Sequence, residues 1–258
     1  MQCRKCQTEV IGLYCPQCGQ PKVFKRITWE YVIHDLFHVL HLEKGIFSTI
    51  WHLLRAPGKT IREYIDEDRT KIIKPVLFLI MTSLIFTVFQ KLTHVGDDYF
   101  SINEDVGFDH IKMIFNWMNS NYGYANLLMS IFIVLWLKVF FRRAPYNFFE
   151  LMVLLCYVIG MGMVFSFVFS LIEWSTGKQQ LNQSTLFTVI YSTYAIGNFY
   201  IRKSISTYVK AFWAYFLGFL TFAIFFGTIG VSLDYQDGKF DKIIQELQEH
   251  SQKESQEP

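Results

Sequence analysis

The sequence predicts an all-α polytopic membrane protein with about five transmembrane helices and a small N-terminal zinc ribbon. Three observations predict this fold class: long apolar blocks, links between them that alternate in basic content, and four paired cysteines near the N-terminus. Of the 258 residues, 52% are hydrophobic and 18% are charged. An average soluble domain carries about 25% charged residues. This composition excludes a disordered chain and a disulfide-dense scaffold.

Five blocks are candidate transmembrane helices, because a helix crosses a bilayer with about 20 apolar residues. They cover residues 75–90, 113–137, 151–172, 179–201 and 211–233. The first block is the shortest, and the second and fourth begin with polar residues. The blocks are apolar nearly all round, whereas a surface helix of a soluble protein keeps a polar face. A five-helix transmembrane domain is therefore predicted over residues 75–233.

The basic residues predict the orientation of these helices. Residues 1–74 hold twelve Lys and Arg. Apart from Lys91 at the edge of the first block, the four following links hold one, three, one and three basic residues in turn. The positive-inside rule then places the N-terminus in the cytoplasm and the polar tail, residues 234–258, outside the cytoplasmic (inner) membrane. A short amphipathic helix is expected within that tail. The net charge of +2 indicates no partner by itself.

The four N-terminal cysteines follow the spacing C-x2-C-x8-C-x2-C within residues 1–22. They are Cys3, Cys6, Cys15 and Cys18. Each C-x2-C turn presents two thiolates, and two such turns fill the tetrahedral shell of Zn²⁺. Gly19 suits the positive φ that follows the second turn, whereas Gln7 at the matching position predicts strain in the first. A shell closed by four thiolates leaves no position for a catalytic water.

Disulfide and redox functions are the alternatives for these cysteines. A cytoplasmic N-terminus disfavours disulfides, and a redox C-x-x-C is typical of a βαβ context that the sequence lacks. Structural zinc is therefore the favoured interpretation. We expect a ribbon of this type to bind a protein partner or to brace its own chain. Nucleic acid is not expected as a partner, because few basic residues lie nearby.

Residues 27–74 predict a cytoplasmic region of amphipathic helices before the first span. Apolar residues at helical spacing occupy residues 27–40 and 46–54, separated by Gly45. Their aromatic and basic content suits helices in the headgroup layer of the bilayer, and packing on the membrane bundle is an equal alternative.

Three histidines lie at i, i+4 and i+7 in the first of these helices. His34, His38 and His41 therefore share one helix face. Three imidazoles there could bind a second metal or titrate near neutral pH. Polar residues at an interface are the alternative, which we favour because no general base is visible beside them.

The segment before the first span is rich in turn and basic signals. Pro57 and Gly58 predict a turn, and Thr60 with Glu63 predicts a capping box that opens a short helix. Four basic residues then precede the membrane: Arg62, Arg69, Lys71 and Lys74. They could bind lipid phosphates at about 1 kcal/mol each. They also act as topology signals, and the two roles overlap.

Two polar residues in the spans are candidates for function. Glu150 begins the third span, where pairing with the basic link at Arg142 and Arg143 is the favoured interpretation. Asn198 lies in the fourth span and suits interhelical hydrogen bonding better than ligand binding. Glycines in the third and fifth spans permit close helix packing or mark a break in a transport helix.

Three segments of the N-terminal third carry a family resemblance: YCPQCGQ, HDLFHVLHLEKG and APGKTIREYIDEDRTKIIKP. Together they resemble the bacterial membrane family called domain of unknown function thirty-six sixty-seven. The resemblance implies a membrane protein with an N-terminal zinc ribbon and no established activity, so it assigns no catalytic residue. The residues that match are His34, Asp35, His38, His41, Pro57, Gly58, Arg62 and Arg69. Asp68 stands where the family commonly has glycine.

These observations favour a non-enzymatic protein that organises a partner or lipids at the cytoplasmic face. A small-solute transporter or channel built on Glu150, Asn198 and the glycines is the alternative. A metal-dependent membrane enzyme built on the three histidines is a further one, for which a catalytic cavity is not evident.

Overall fold

The structure, a computed structural model, describes residues 2–3, 6–10, 12–19, 45–95, 109–200 and 204–237. These residues contain eight α-helices and no β-strand beyond an isolated antiparallel bridge between Gln2 and Glu9. The helices are α1 (Ile46–Arg55), α2 (Pro57–Asp66), α3 (Pro75–Thr93), α4 (Asp109–Ser120), α5 (Tyr122–Phe140), α6 (Phe148–Thr176), α7 (Leu181–Phe199) and α8 (Ile205–Gln236). The all-α prediction is confirmed.

Four of the described helices are long and apolar enough to cross a membrane: α3, α5, α6 and α8. They correspond to the first, second, third and fifth predicted spans. Helix α7 has 19 residues, as many as α3, but its Asn, Gln, Ser and Thr residues lower its hydropathy below that of a span. The fourth predicted span thus forms a helix of the bundle, and its crossing of the membrane stays a prediction.

Helix α6 is the centre of the bundle. Of an apolar 18-residue stretch of this helix, 61% is buried, which is a larger share than in the other three candidate spans. Helix α3 runs parallel to it, because Phe78 packs at Gly160 and Phe89 packs at Phe167. Helix α7 runs antiparallel on another side, because Thr188 packs at Gly162 and the earlier Ser184 contacts the later Ser166. The start of α6 and the end of α7 therefore lie together, and we call this the docking end of the bundle.

Most of the span glycines are contact points between helices. A Cβ added at Gly160 or Gly162 would meet Phe78 or Thr188 within 3 Å, and one at Gly218 would meet the Cα of Ile133 at 2.6 Å. A Cβ added at Gly227 would have no neighbour within 4 Å. Among the glycines of α6 and α8 that were predicted to permit close helix packing, Gly227 is the one for which the prediction is wrong. Helices α6 and α8 continue through all of these glycines, so the predicted alternative of a helix break is wrong.

The turn predicted at Pro57 and Gly58 lies one residue earlier. Ala56 adopts φ −153° and ψ 67° between α1 and α2, and Pro57 is the first residue of α2. Proline suits this position because its fixed φ is helical and its missing N–H has no partner there. Thr60 is therefore inside the helix and its hydroxyl donates to the carbonyl of His52 at 3.2 Å. The capping box predicted at Thr60 and Glu63 is wrong.

Candidate metal centre and the paired helices

The four N-terminal cysteines come together as a compact thiol cluster. Their Sγ atoms all lie within 4.8 Å of one another, and no disulfide joins them. The Sγ atom of Cys6 lies 3.4 Å from that of Cys15 and 3.6 Å from that of Cys18, and Cys3 and Cys18 are 3.5 Å apart. Cys3 and Cys15 are buried together with Val10. The predicted cluster is confirmed as a group that can hold a metal ion.

The two halves of the cluster have the same turn. The N–H of Gln7 donates to the carbonyl of Cys3 at 2.9 Å, and the N–H of Gly19 donates to that of Cys15 at 2.9 Å. Gln7 has φ 60° and Gly19 has φ 69°. Both residues are left-handed, a conformation that glycine adopts freely and that costs glutamine about 1–2 kcal/mol. The strain predicted in the first turn is confirmed.

The spacing of the sulfur atoms fits a tetrahedral metal site. Four sulfurs at about 2.3 Å from a Zn²⁺ ion lie about 3.8 Å from one another. Three of the six separations are 3.4 to 3.6 Å, within a few tenths of an ångström of that value, and all six are at most 4.8 Å. A disulfide would require about 2.05 Å. The donor set and its spacing therefore suit a four-coordinate metal.

Thr8 favours the metal-binding form of Cys6. The Cys6 Sγ lies 3.3 Å from the Thr8 Oγ1. Hydrogen bonds to the side chain and backbone of Thr8 lower the pKa of the Cys6 thiol to about 6. The thiolate is the form that ligates metal, so this environment prepares the residue for coordination.

Helices α1 and α2, which we call the paired helices (residues 46–66), pack on the docking end of the bundle. Arg62 Nη1 donates to the carbonyls of Asn198 and Phe199 at 2.5 and 2.7 Å. A Cβ added at Gly58 would lie 2.3 to 2.5 Å from backbone atoms of the same two residues. The start of α2 therefore lies directly on the last turn of α7.

A second set of contacts ties the paired helices to α6. Tyr157 donates its hydroxyl to the carbonyl of Ile73 at 2.7 Å, and its ring packs edge-on against Tyr64 at 5.6 Å between centroids. The N–H of Ile73 donates to Thr49 Oγ1 at 3.1 Å. Leu53, Ile61 and Tyr64 are fully or almost fully buried in the same core as α6. Packing on the bundle, one of the two alternatives for residues 46–54, is therefore observed.

The four basic residues predicted to bind headgroups have different surroundings. Arg62 caps α7 as described, and Arg69 Nη2 lies 3.5 Å from the carbonyl of Ile65. Lys71 pairs with Glu63 at 2.5 Å and is 40% exposed, while Lys74 stands at the start of α3. Contact of these residues with lipid stays a prediction.

Glu150 and Asn198 both lie at helix ends and make hydrogen bonds there. The Glu150 carboxylate accepts from the N–H of Asn147 at 2.7 Å, and the Asn147 side chain accepts from the N–H of Glu150 at 2.8 Å. This reciprocal capping box takes the place of the expected pairing with Arg142 and Arg143. Among the described residues, no ion pair includes either arginine. Asn198 accepts from the Tyr208 hydroxyl at 3.3 Å, which confirms the predicted interhelical bond.

One contact at the opposite end of the bundle was not predicted. The fully buried Asp234 carboxylate accepts from the backbone N–H of His110 at 3.0 Å and lies 2.8 Å from its Nδ1. It thereby joins the end of α8 to the start of α4. The two residues are 124 positions apart, so no local spacing could indicate the contact. His34, His38 and His41 lie outside the described residues.

The fold and the cluster define a class: an all-helical protein with four candidate membrane-spanning helices and a four-cysteine group that can hold a metal. A model of the family described as "Protein of unknown function (DUF3667)" matches residues 43–87. This segment comprises the paired helices and most of α3, and the match confirms the family resemblance of the sequence. Neither the curated proteins nor the solved structures include a match to the chain.

Proposed function

We propose that the protein is a non-enzymatic integral protein of the bacterial inner membrane that organises a protein partner or lipids at the cytoplasmic face. The observation that carries the proposal is the closed group of four cysteines. A metal bound by all four sulfurs has no open position for water or substrate. Such a site stabilises a small module instead of performing a reaction.

Zinc is the metal that we propose for the cluster. Four thiolates are soft ligands, and zinc prefers them in tetrahedral geometry. A module of this size has little hydrophobic core, and its described buried residues are Cys3, Val10 and Cys15. Metal binding would therefore supply most of its folding free energy. The folded ribbon would then offer a surface to a protein partner.

We place the docking end of the bundle on the cytoplasmic side. The positive-inside rule supports this orientation, because the basic residues of α2, of the segment before α3 and of the link at 142–143 lie at that end. Lys71 and Lys74 precede α3 there and suit contact with anionic headgroups. The tail after α8 would lie outside.

The transporter alternative has less support. Glu150 and Asn198 make hydrogen bonds at helix ends, and close contacts occupy four of the five glycine positions in α6 and α8. The enzyme alternative depends on histidines outside the described residues, so the geometry adds nothing to it.

The proposal is tested by crosslinking in native membranes, followed by purification of the full-length protein. Wild type is compared with the double variant Cys3→Ser/Cys6→Ser, and Cys156→Ala is the matched control because Cys156 is buried in α6 away from the cluster. We expect a defined set of proteins to accompany wild type and the control and to be lost from the double variant. An identical set in all three samples would contradict a partner-binding role of the ribbon.

A further inference from the structure

Helix α1 presents apolar side chains on two opposite faces. Leu53 and Thr49 are buried against the bundle. On the other side, Phe47 is 83% exposed, Trp51 is 61% exposed and Leu54 is 45% exposed. These three residues lie at i, i+4 and i+7 and therefore share one helix face. A helix on a water-covered surface would carry polar residues at these positions.

The inner face of α1 is attached to the bundle at a distance from the docking end, measured along the bundle helices. The hydroxyl of Tyr191 donates to the carbonyl of Leu53 at 3.1 Å. Tyr191 precedes Phe199, the last residue of α7, by eight positions. At 1.5 Å per residue, this places the contact about 12 Å from the end of that helix.

The other attachment of α1 has a similar depth. Thr49 is joined through the backbone of Ile73 to the hydroxyl of Tyr157. Tyr157 follows Phe148, the first residue of α6, by nine positions, or about 14 Å along the helix. Because its two attachments have nearly equal depth, α1 lies across the bundle instead of projecting from it.

The length of α6 relates this depth to a bilayer. Its 29 residues extend about 43 Å, which exceeds a hydrocarbon core of about 30 Å by about 13 Å. If the whole excess lies at the docking end, α1 is at the boundary of the core. If the excess is shared equally, α1 is about 7 Å inside it. Interfacial helices bury their apolar face about 5–10 Å deep, so the second case matches this depth and the first places α1 at the outer edge of the same layer.

We propose that α1 is an interfacial helix whose face formed by Phe47, Trp51 and Leu54 binds the acyl chains of the cytoplasmic leaflet. Arg55 is exposed and directly follows Leu54 of this face, and an arginine at such a place can extend its guanidinium to lipid phosphates. Depth favours lipid over a soluble partner, because the attachment points lie below the end of the bundle. The inference rests on the proposed function only in placing the chain in a membrane.

Photo-crosslinking of the full-length protein tests this surface. A benzophenone amino acid replaces Phe47, or Trp51 in a second variant, and the protein is reconstituted in nanodiscs of phosphatidylethanolamine and phosphatidylglycerol. Phe219 on α8, 52% exposed, is the membrane control, and Tyr14 in the ribbon, 65% exposed, is the control outside the membrane. We expect the intact mass to increase by one phospholipid at Phe47 and Trp51, as at Phe219, and not at Tyr14.

Each other outcome overturns the inference in a recognisable way. Crosslinked dimers at Phe47 and Trp51 would assign the face to a second copy of the chain. Lipid adducts at Phe219 alone would show that water covers α1 while the membrane location still holds. No lipid adduct at Phe219 would remove the membrane location, and with it both this inference and the proposed function.

Discussion

Arg62 caps the end of a helix that lies 136 residues later in the chain, because its Nη1 donates to the carbonyls of Asn198 and Phe199. The last carbonyls of a helix have no partner within it and carry partial negative charge, so a guanidinium is a suitable cap. Gly58 lies on the same two residues. Two residues of the segment matched by the family model therefore attach the paired helices to the bundle.

Replacing Arg62 should weaken this attachment. Arg62→Ala leaves two carbonyls of α7 without their charged donor, and a hydrogen bond to a charged group contributes about 1.5–3 kcal/mol. We expect a lower midpoint of thermal unfolding in detergent and a smaller loss for Arg62→Lys. Lys59→Ala is the matched control, since Lys59 is 73% exposed on the same helix and makes a long ion pair with Glu63 at 3.6 Å. Equal midpoints for the Arg62 and Lys59 variants would refute the capping role.

Adding one methyl group at Gly58 should have a larger effect than at Gly45. The new Cβ in Gly58→Ala would lie 2.3 to 2.5 Å from backbone atoms of Asn198 and Phe199, which cannot move without displacing α7. Gly45→Ala meets nothing within 4 Å at the start of α1. We expect protease cleavage between α1 and α3 to be faster in Gly58→Ala and unchanged in Gly45→Ala. Unchanged cleavage in both variants would show that α2 is not seated on α7.

The ion pair between Glu63 and Lys71 should make stability depend on acidic pH. Partial burial raises the pKa of Glu63. The hydrogen bond and charge of Lys71, together with the charge of Lys59, lower the pKa by more, so that it lies below the usual value of 4.5. Between the folded pKa and about 4.5, Glu63 binds a proton more readily in the unfolded chain than in the folded one. The contribution of the ion pair to the free energy of unfolding is therefore fully present above pH 4.5 and is lost as the pH falls through the folded pKa. Thermal midpoints across this range should fall less steeply for Glu63→Gln than for wild type. Parallel curves would contradict the prediction.

The left-handed conformation of Gln7 should limit metal retention. Gln7→Gly removes the left-handed strain of about 1–2 kcal/mol from the first turn. We expect the variant to retain metal longer than wild type when a chelator is added, and Gly19→Ala to lose it sooner. Both residues lie next to the cluster without supplying a sulfur, so the comparison isolates the backbone. Faster loss from Gln7→Gly would argue that the two turns do not have the same geometry in the metal-bound protein.

Local patterns predicted the parts of this protein that local chemistry determines. The cluster could be predicted because Cys3 and Cys6, like Cys15 and Cys18, are three positions apart in single turns. The four apolar helices follow from composition in the same way. The spacing of Thr60 and Glu63 also matched a capping box, but Pro57 begins the helix three residues earlier.

Contacts between distant residues could not be predicted from the sequence. The roles of Arg62 at α7 and of Asp234 at His110 depend on helix packing over more than a hundred residues. Helix α7 was predicted as an apolar span because its second half is apolar. Some of its hydroxyl groups instead make contacts within the bundle: that of Ser184 lies 3.3 Å from that of Ser166, and that of Tyr191 donates to the carbonyl of Leu53. Polar residues that form hydrogen bonds to other helices also occur in membrane-spanning helices. Hydropathy alone therefore does not distinguish such a helix from one outside the bilayer.

The metal content of the purified full-length protein tests the central claim most directly. Four thiolates arranged as in this structure should bind one zinc ion per chain, measured by elemental analysis together with protein quantification. We expect the zinc to be absent from Cys3→Ser/Cys6→Ser and unchanged in Cys156→Ala, whose thiol lies in α6. If the double variant contains as much zinc as wild type, the metal is held elsewhere and the account of the ribbon is wrong.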